Sequence, residues 1–174
     1  MTLIELIVSM SMLVFIIGGG LTAYAASAGA ERGDRSRAES LLMARTGLGK
    51  MSRELRSAIP AASGPTINVS ATSLSFQKYL PGTLSKVWVL YQCTSGSCRR
   101  AQSAAGGSVP ASATAVIVPG LTNSDVFALS GTNYVTIKVS VRDSSEIAQS
   151  PSHQAAAATL VDGVALRNFS GSTM

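Results

Sequence analysis

Residues 1–30 form an apolar run that a single acidic residue interrupts. Glu5 carries the one charge in this run, and residues 6–30 have no charged side chain. A helix that crosses a bilayer needs about 20 mostly apolar residues, so this segment is long enough to span one. Apolar residues on all faces are typical of a helix buried in lipid or among sister helices. We therefore predict an apolar helix over residues 1–30.

From residue 31 the pattern becomes that of an amphipathic helix. Six apolar residues recur at spacings of three and four positions: Leu41, Ala44, Leu48, Met51, Leu55 and Ala58. We expect the charged residues of this stretch to lie largely on other faces: Arg45, Lys50, Arg53, Glu54 and Arg56. Pro60 ends the pattern. Residues 31–59 are thus predicted to pack on the domain that follows, and a coiled-coil partner is the alternative.

After Pro60, apolar and polar residues alternate as they do in the strands of a half-buried sheet. Residues 134–141 show this most clearly. We predict strands at 66–69, 73–79, 86–92, 115–118, 126–129 and 134–141, and a last strand or pair within 159–166. The fold class is therefore predicted to be α+β, a long N-terminal helix packed on an antiparallel β-sheet head over residues 60–174.

Cys93 and Cys98 are the two cysteines of the chain. In a domain outside the cytoplasm, two such residues are expected to form a disulfide. Two thiols without a third or fourth ligand make a poor zinc site. We predict a disulfide that fixes the tip of a hairpin running from residue 87 to residue 99.

Glu5 has no basic side chain near it in the apolar run. A carboxylate inside a bilayer costs a few kcal/mol unless it is paired, and such a residue is a functional candidate by default. The first basic residue of the chain is Arg32. The positive group nearest to Glu5 is therefore an amino terminus, either its own or that of a neighbouring copy.

An apolar amino terminus with Glu at position five, continued as one long helix, resembles the type IV pilins and the pseudopilins of type II secretion. Residues 49–58 and 164–168 faintly resemble the helix end and the last strand of W-type minor pilins and J-type pseudopilins. Two positions depart from the family pattern. Met1 stands where Phe is usual, and Thr22 stands where many major pilins carry a proline that kinks the helix.

The resemblance implies a pilin-like subunit of a type IV pilus or a related pilus. A prepilin peptidase would expose the terminus at Met1, which would then be methylated. The subunit would lie in the cytoplasmic membrane before the pilus assembly machinery polymerises copies through helix 1–30 into an extracellular filament. Glu5 would pair with the Met1 ammonium of an adjacent subunit. Such filaments serve adhesion, twitching motility, DNA uptake or secretion, and no motif here distinguishes these tasks.

Gly18, Gly19 and Gly20 follow one another within the apolar helix. Each costs about 1 kcal/mol relative to Ala in a helix interior. In a pilin they would let the helix stretch or melt inside the filament, in place of the absent proline. Close packing of helices through small residues is the alternative.

Three other interpretations of the chain stay open. The first is a minor pseudopilin at the tip of a secretion or DNA-uptake pilus. The second is a single-pass anchor that carries an extracellular binding domain. The third is an uncleaved signal peptide, which is disfavoured because the chain begins without basic residues and its apolar run is long.

Other functional classes find little support in the sequence. The formal charge of +5 is spread along the chain, which indicates no specific nucleic-acid site. The single histidine, His153, falls in a stretch rich in Ser and Ala, which we expect to be an exposed loop. The sequence therefore indicates no nucleophilic triad. Asp125, Asp143 and Glu146 lack the spacing of a calcium loop. We expect no enzyme, no cofactor and no metal site.

Asn68 and Asn168 each begin a triplet that matches the acceptor for N-glycosylation. Such triplets arise often by chance. Glycosylation at these two residues is therefore a prediction of the sequence pattern alone.

Overall fold

A computed structural model describes residues 3–59, 67–94, 96–131, 133–142 and 157–166. Over these residues the chain has one helix, α1 (Leu3–Arg56), and one sheet of eight strands. The strands are β1 (Ile67–Val69), β2 (Ser73–Tyr79), β3 (Lys86–Thr94), β4 (Gly96–Gln102), β5 (Ala115–Leu121), β6 (Phe127–Ser130), β7 (Tyr134–Val141) and β8 (Ala158–Ala165). An N-terminal helix followed by an antiparallel sheet is compatible with the predicted α+β class.

Helix α1 is continuous for 54 residues, including the three glycines at 18–20. At ~1.5 Å per residue its length is about 81 Å. It ends at Arg56, slightly before the predicted end near Pro60. The reason is that the next residues pair with a strand: Ala58 forms a β-bridge with Lys78, and the Ile59 N–H donates to the Gln77 carbonyl at 3.0 Å.

The strands lie close to where the alternating pattern predicts them. β2 and β7 have the predicted bounds, whereas β3 and β5 continue for two or three residues beyond them. The last strand is a single one, β8, and not a pair. β4 is the returning arm of the hairpin that was predicted around the cysteines.

All strand pairs are antiparallel, in the order β1-β2-β3-β4-β5-β7-β6. β8 lies along the whole length of β7, while β6 and the end of β5 share the other edge of that strand. The N–H groups of Val126 and Phe127 donate to the Ala71 carbonyl at 2.8 and 3.1 Å. These bonds bring the β1–β2 turn to the start of β6, so the sheet is curled.

The outer half of α1 shares a buried cluster with the strands. All six residues of the apolar stripe are buried or half-buried. A fully buried apolar side chain of this size contributes about 1.5–3 kcal/mol. The helix supplies Ala44, Leu48, Met51 and Leu55, and the sheet supplies chiefly Leu74, Phe76, Val89, Tyr91, Val118, Val135, Ile137 and Val139.

Two glycines of α1, one on each side of the helix, have opposite surroundings. Gly47 is buried, and a Cβ placed there would clash with Cγ2 of Val118 and lie 3.1 Å from the Ile117 carbonyl oxygen. Gly49 is exposed, and a Cβ there would meet nothing within 4 Å. Gly47 therefore lets the helix approach β5 closely, although glycine is a poor helix former.

These two glycines allow a matched test of helix–sheet contact. Gly49→Ala should raise the free energy of unfolding by about 0.5–1 kcal/mol, because alanine favours the helix. Gly47→Ala has the same helical gain but overpacks the contact with β5 at a cost of about 1–3 kcal/mol, so it should be neutral or destabilising. Urea unfolding of the full chain in detergent, followed by fluorescence of the single tryptophan, Trp88, measures both. Equal stabilisation by the two changes would contradict the close approach.

Candidate assembly site

The inner part of α1 touches no other part of the described structure. The segment Leu3–Ala25 is long and apolar enough to cross a membrane, and none of its residues is buried. Each of its large apolar side chains is at least 50% exposed. Soluble monomers rarely expose a continuous apolar surface larger than a few hundred Å². The segment is therefore compatible with membrane association or with burial against other chains.

The serine and threonine hydroxyl groups of this segment donate to carbonyl groups of the helix backbone. Ser9 donates to the Glu5 carbonyl at 2.8 Å, Ser11 to the Val8 carbonyl at 2.8 Å and Thr22 to the Gly19 carbonyl at 2.9 Å. Such bonds remove much of the cost of placing a hydroxyl in an apolar medium. Serine and threonine thus fit the apolar surface, and the carboxylate of Glu5 is the exception.

Glu5 has no counter-charge within the part of the chain that the structure describes. Its side chain is exposed on α1, and none of the salt bridges found among those residues involves it. The nearest basic residue along the helix, Arg32, is about 40 Å away at ~1.5 Å per residue. Met1, the predicted partner, lies outside the described residues. Within the described ranges, therefore, this carboxylate is not neutralised by a salt bridge.

Gly18, Gly19 and Gly20 are helical, and a Cβ on any of them would meet nothing within 4 Å. In the single chain, these glycines therefore do not serve an internal contact. They leave a stretch of bare helix backbone that another helix can approach closely. Local stretching or melting within a filament stays a prediction.

The predicted disulfide between Cys93 and Cys98 is confirmed. The two residues face each other across β3 and β4, with Cα atoms 4.0 Å apart, and both are fully buried. The hairpin turns through Gly96, whose φ of +102° favours glycine. The disulfide therefore links the two arms of the hairpin near its tip, and both cysteines belong to the buried core cluster.

The remaining residues singled out from the sequence do not come together into a site. Asn68 is exposed on β1, and Asp125 forms an exposed salt bridge with Lys138 at 3.4 Å. Among residues that the structure describes, no group of three or more His, Cys, Asp or Glu side chains is placed to hold a metal ion. Four of the residues named above lie outside the described ranges: Asp143, Glu146, His153 and Asn168.

Glu54 is the charged residue that the sequence interpretation misplaced. It was expected on a polar face of the helix, but its carboxylate points to the sheet and is only 15% exposed. It accepts hydrogen bonds from Arg100 at 3.0 and 3.1 Å and from the Tyr91 hydroxyl at 2.8 Å, and it pairs with Lys78 at 3.1 Å. The sequence contained one indication of this placement: Glu54 comes three residues after Met51, at the edge of the apolar stripe.

The surroundings of Glu54 favour its charged form. Burial raises the pKa of this carboxyl, but hydrogen bonds from Arg100 and Tyr91, together with the charge of Arg100, lower it by more. The resulting pKa is below the usual range. Burial and the negative charge of Glu54 raise the pKa of the Tyr91 phenol, which therefore remains a neutral donor. A further polar link joins α1 to β8, where the Ser52 hydroxyl donates to the Asp162 carboxylate.

The lowered pKa of Glu54 gives a defined pH dependence. Its stabilising effect is complete above the unfolded-state pKa of ~4.3 and is lost as the pH falls through the lower folded-state pKa. At pH 7, Glu54→Gln should lower the free energy of unfolding by about 1–3 kcal/mol, because Arg100 and Lys78 lose their counter-charge. The difference from the native chain should shrink in acid.

Urea unfolding at several pH values measures this effect. Glu39→Gln serves as the control, because it removes an exposed carboxylate that has no salt bridge among the described residues. It should change stability by less than about 0.5 kcal/mol. A loss from Glu54→Gln that stays constant from neutral to acid pH would contradict the assigned role of the charge.

Comparison of the chain with models of known protein families, with curated proteins and with solved structures found no match. The function is therefore inferred from the residues and from their placement on α1 and the sheet.

Proposed function

We propose that this chain is a structural subunit of a type IV pilus or a related pilus, polymerising through residues 1–30 into an extracellular filament. One observation carries the proposal. A carboxylate with no salt bridge among the described residues, that of Glu5, lies on a fully exposed apolar helix segment, and the other half of this helix belongs to a folded head. A plain membrane anchor gains nothing from such a carboxylate, whereas an assembling helix can use it to select a partner.

The exposed apolar surface of the inner half of α1 suits a subunit that moves from lipid into a filament. Before assembly, residues 1–30 lie in the cytoplasmic membrane while the head stays outside it. On assembly, the same apolar surface exchanges lipid for the helices of other copies, so little apolar area is exposed to water at any stage. The resemblance to pilins adds a prepilin peptidase and a pilus assembly machinery as partners in this pathway.

The contacts between the outer half of α1 and the sheet also support the proposal. The outer half of α1 packs its apolar stripe against the strands, and the Glu54 cluster adds polar links to Lys78, Tyr91 and Arg100. A helix held this firmly transmits its axial position to the head. The disulfide between Cys93 and Cys98 suits a domain that faces an oxidising exterior.

Glu5 sets the register between neighbours in this mechanism. Its carboxylate pairs with the amino-terminal ammonium of an adjacent subunit, which the resemblance places at Met1. Removing one partner of a buried ion pair leaves an uncompensated charge, at a cost of about 3–5 kcal/mol. A helix that docks in the wrong register carries the same cost. Gly18, Gly19 and Gly20 would let the helix adjust its length or approach its neighbours closely.

Replacing Glu5 tests this proposal. Glu5→Ala should reduce the yield of filaments sheared from cells by roughly a hundredfold or more, because each subunit would strand an ammonium charge. The head should stay folded, because Glu5 lies in a part of α1 that touches no strand. Electron microscopy measures the filaments, and mass spectrometry identifies their subunit.

Ser9→Ala is the matched control. It changes a polar side chain one turn away that already bonds within its own helix, so filament yield should be close to that of the native chain. Normal length and yield of filaments from Glu5→Ala would refute the pairing role. A native chain that stays in membranes as a monomer would favour the anchor interpretation.

A further inference from the structure

The exposed side of the outer half of α1 carries a basic face, made of Arg45, Lys50, Arg53 and Arg56. All four side chains are exposed, and none takes part in a salt bridge among the described residues. Glu54, the one acidic residue in this stretch of sequence, is held against the sheet by Lys78 and Arg100. The basic face is therefore not neutralised by its own helix.

Two exposed acidic residues, Glu31 and Glu39, lie nearer the apolar segment on the same helix. Arg35 is four positions from each of them, a spacing that permits a pair within one helix. The structure contains no such pair, although all three residues are among those it describes. Both carboxylates are consequently open to a partner outside the chain.

The two acidic residues match the basic face at a single displacement. Glu31 and Arg45 are 14 positions apart, and so are Glu39 and Arg53. No other displacement aligns both carboxylates with members of the basic face. At ~1.5 Å per residue this is about 21 Å. Because 14 residues make nearly four full turns, the acidic and basic residues lie on similar sides of α1, and they can face each other when the second copy is also turned by about half a turn about its helix axis.

We propose that Glu31 and Glu39 of one copy pair with Arg45 and Arg53 of a second, parallel copy that is displaced by about 21 Å along α1 and turned by about half a turn about the helix axis. This inference rests on the proposed function and adds to it a second contact that sets the register, outside the apolar core. The interface is heterologous, so every subunit presents the same unsatisfied surfaces to the next and the contact repeats along a polymer. Charged pairs at an interface chiefly select the correct partner and register.

A charge-reversal series in the full chain tests the contact. Arg45→Glu with Arg53→Glu places like charges opposite Glu31 and Glu39, which should lower the mass of sheared filaments roughly tenfold or more. Lys50→Glu with Arg56→Glu is the control. It changes the net charge equally, but the positions opposite it at this displacement are Ser36 and Leu42. The control should therefore assemble nearly as well as the native chain.

The decisive variant combines Arg45→Glu and Arg53→Glu with Glu31→Arg and Glu39→Arg, which exchanges the charges of both pairs. Recovery of filament mass in this variant supports the contact. An equal loss from both double reversals would instead indicate a general positive surface for a polyanion such as DNA, and would overturn the inference. Failure of the exchanged variant to recover, while native filaments form, would also overturn it.

Different results would refute the proposed function and this inference. Variants that contradict the pairing, in cells where native filaments form, would refute the inference alone. Absence of filaments from the native chain would refute both. Urea unfolding followed by Trp88 fluorescence checks that each variant keeps its head folded, which is expected because all the altered side chains are exposed.

Discussion

The proposed assembly depends on a carboxylate that forms no salt bridge among the residues that the structure describes. Glu5 lies on a helix segment whose apolar side chains are all exposed, and the first basic residue along α1, Arg32, is about 40 Å away in helix length. Lipid or other helices can cover the apolar surface, but only a positive group can offset the cost of the charge. Assembly with an ammonium from a neighbour meets both requirements together.

The two halves of α1 are built for different partners. In the inner half, hydroxyl groups bond back to the helix and Gly18, Gly19 and Gly20 leave the backbone open. In the outer half, an apolar stripe, a close approach at Gly47 and the bonds of Glu54 hold the helix to the sheet. A continuous helix with one free and one docked half couples the position of its apolar segment to that of a folded head.

Much of this fold could be predicted because local pattern and tertiary burial agree. The alternation in residues 134–141 gave β7 its bounds, and the cysteine spacing gave the hairpin. Glu54 was misplaced because its location depends on Lys78 and Arg100, which are distant in sequence and reach the helix only after the sheet has formed. The role of Gly47 was likewise hidden, because close approach to β5 leaves no local sequence signal. The proposed partner of Glu5 belongs to another copy, so neither one sequence nor one folded chain would contain it.

The central claim is that Glu5 is neutralised between copies of this chain. The most direct measurement is cryo-electron microscopy of filaments sheared from cells that express the full chain. The account predicts filaments with α1 at their centre and the Glu5 carboxylate within ion-pair distance of an adjacent subunit's amino terminus. Filaments in which Glu5 faces solvent or has no positive neighbour would contradict it, as would a chain that is extracted from membranes only as a monomer.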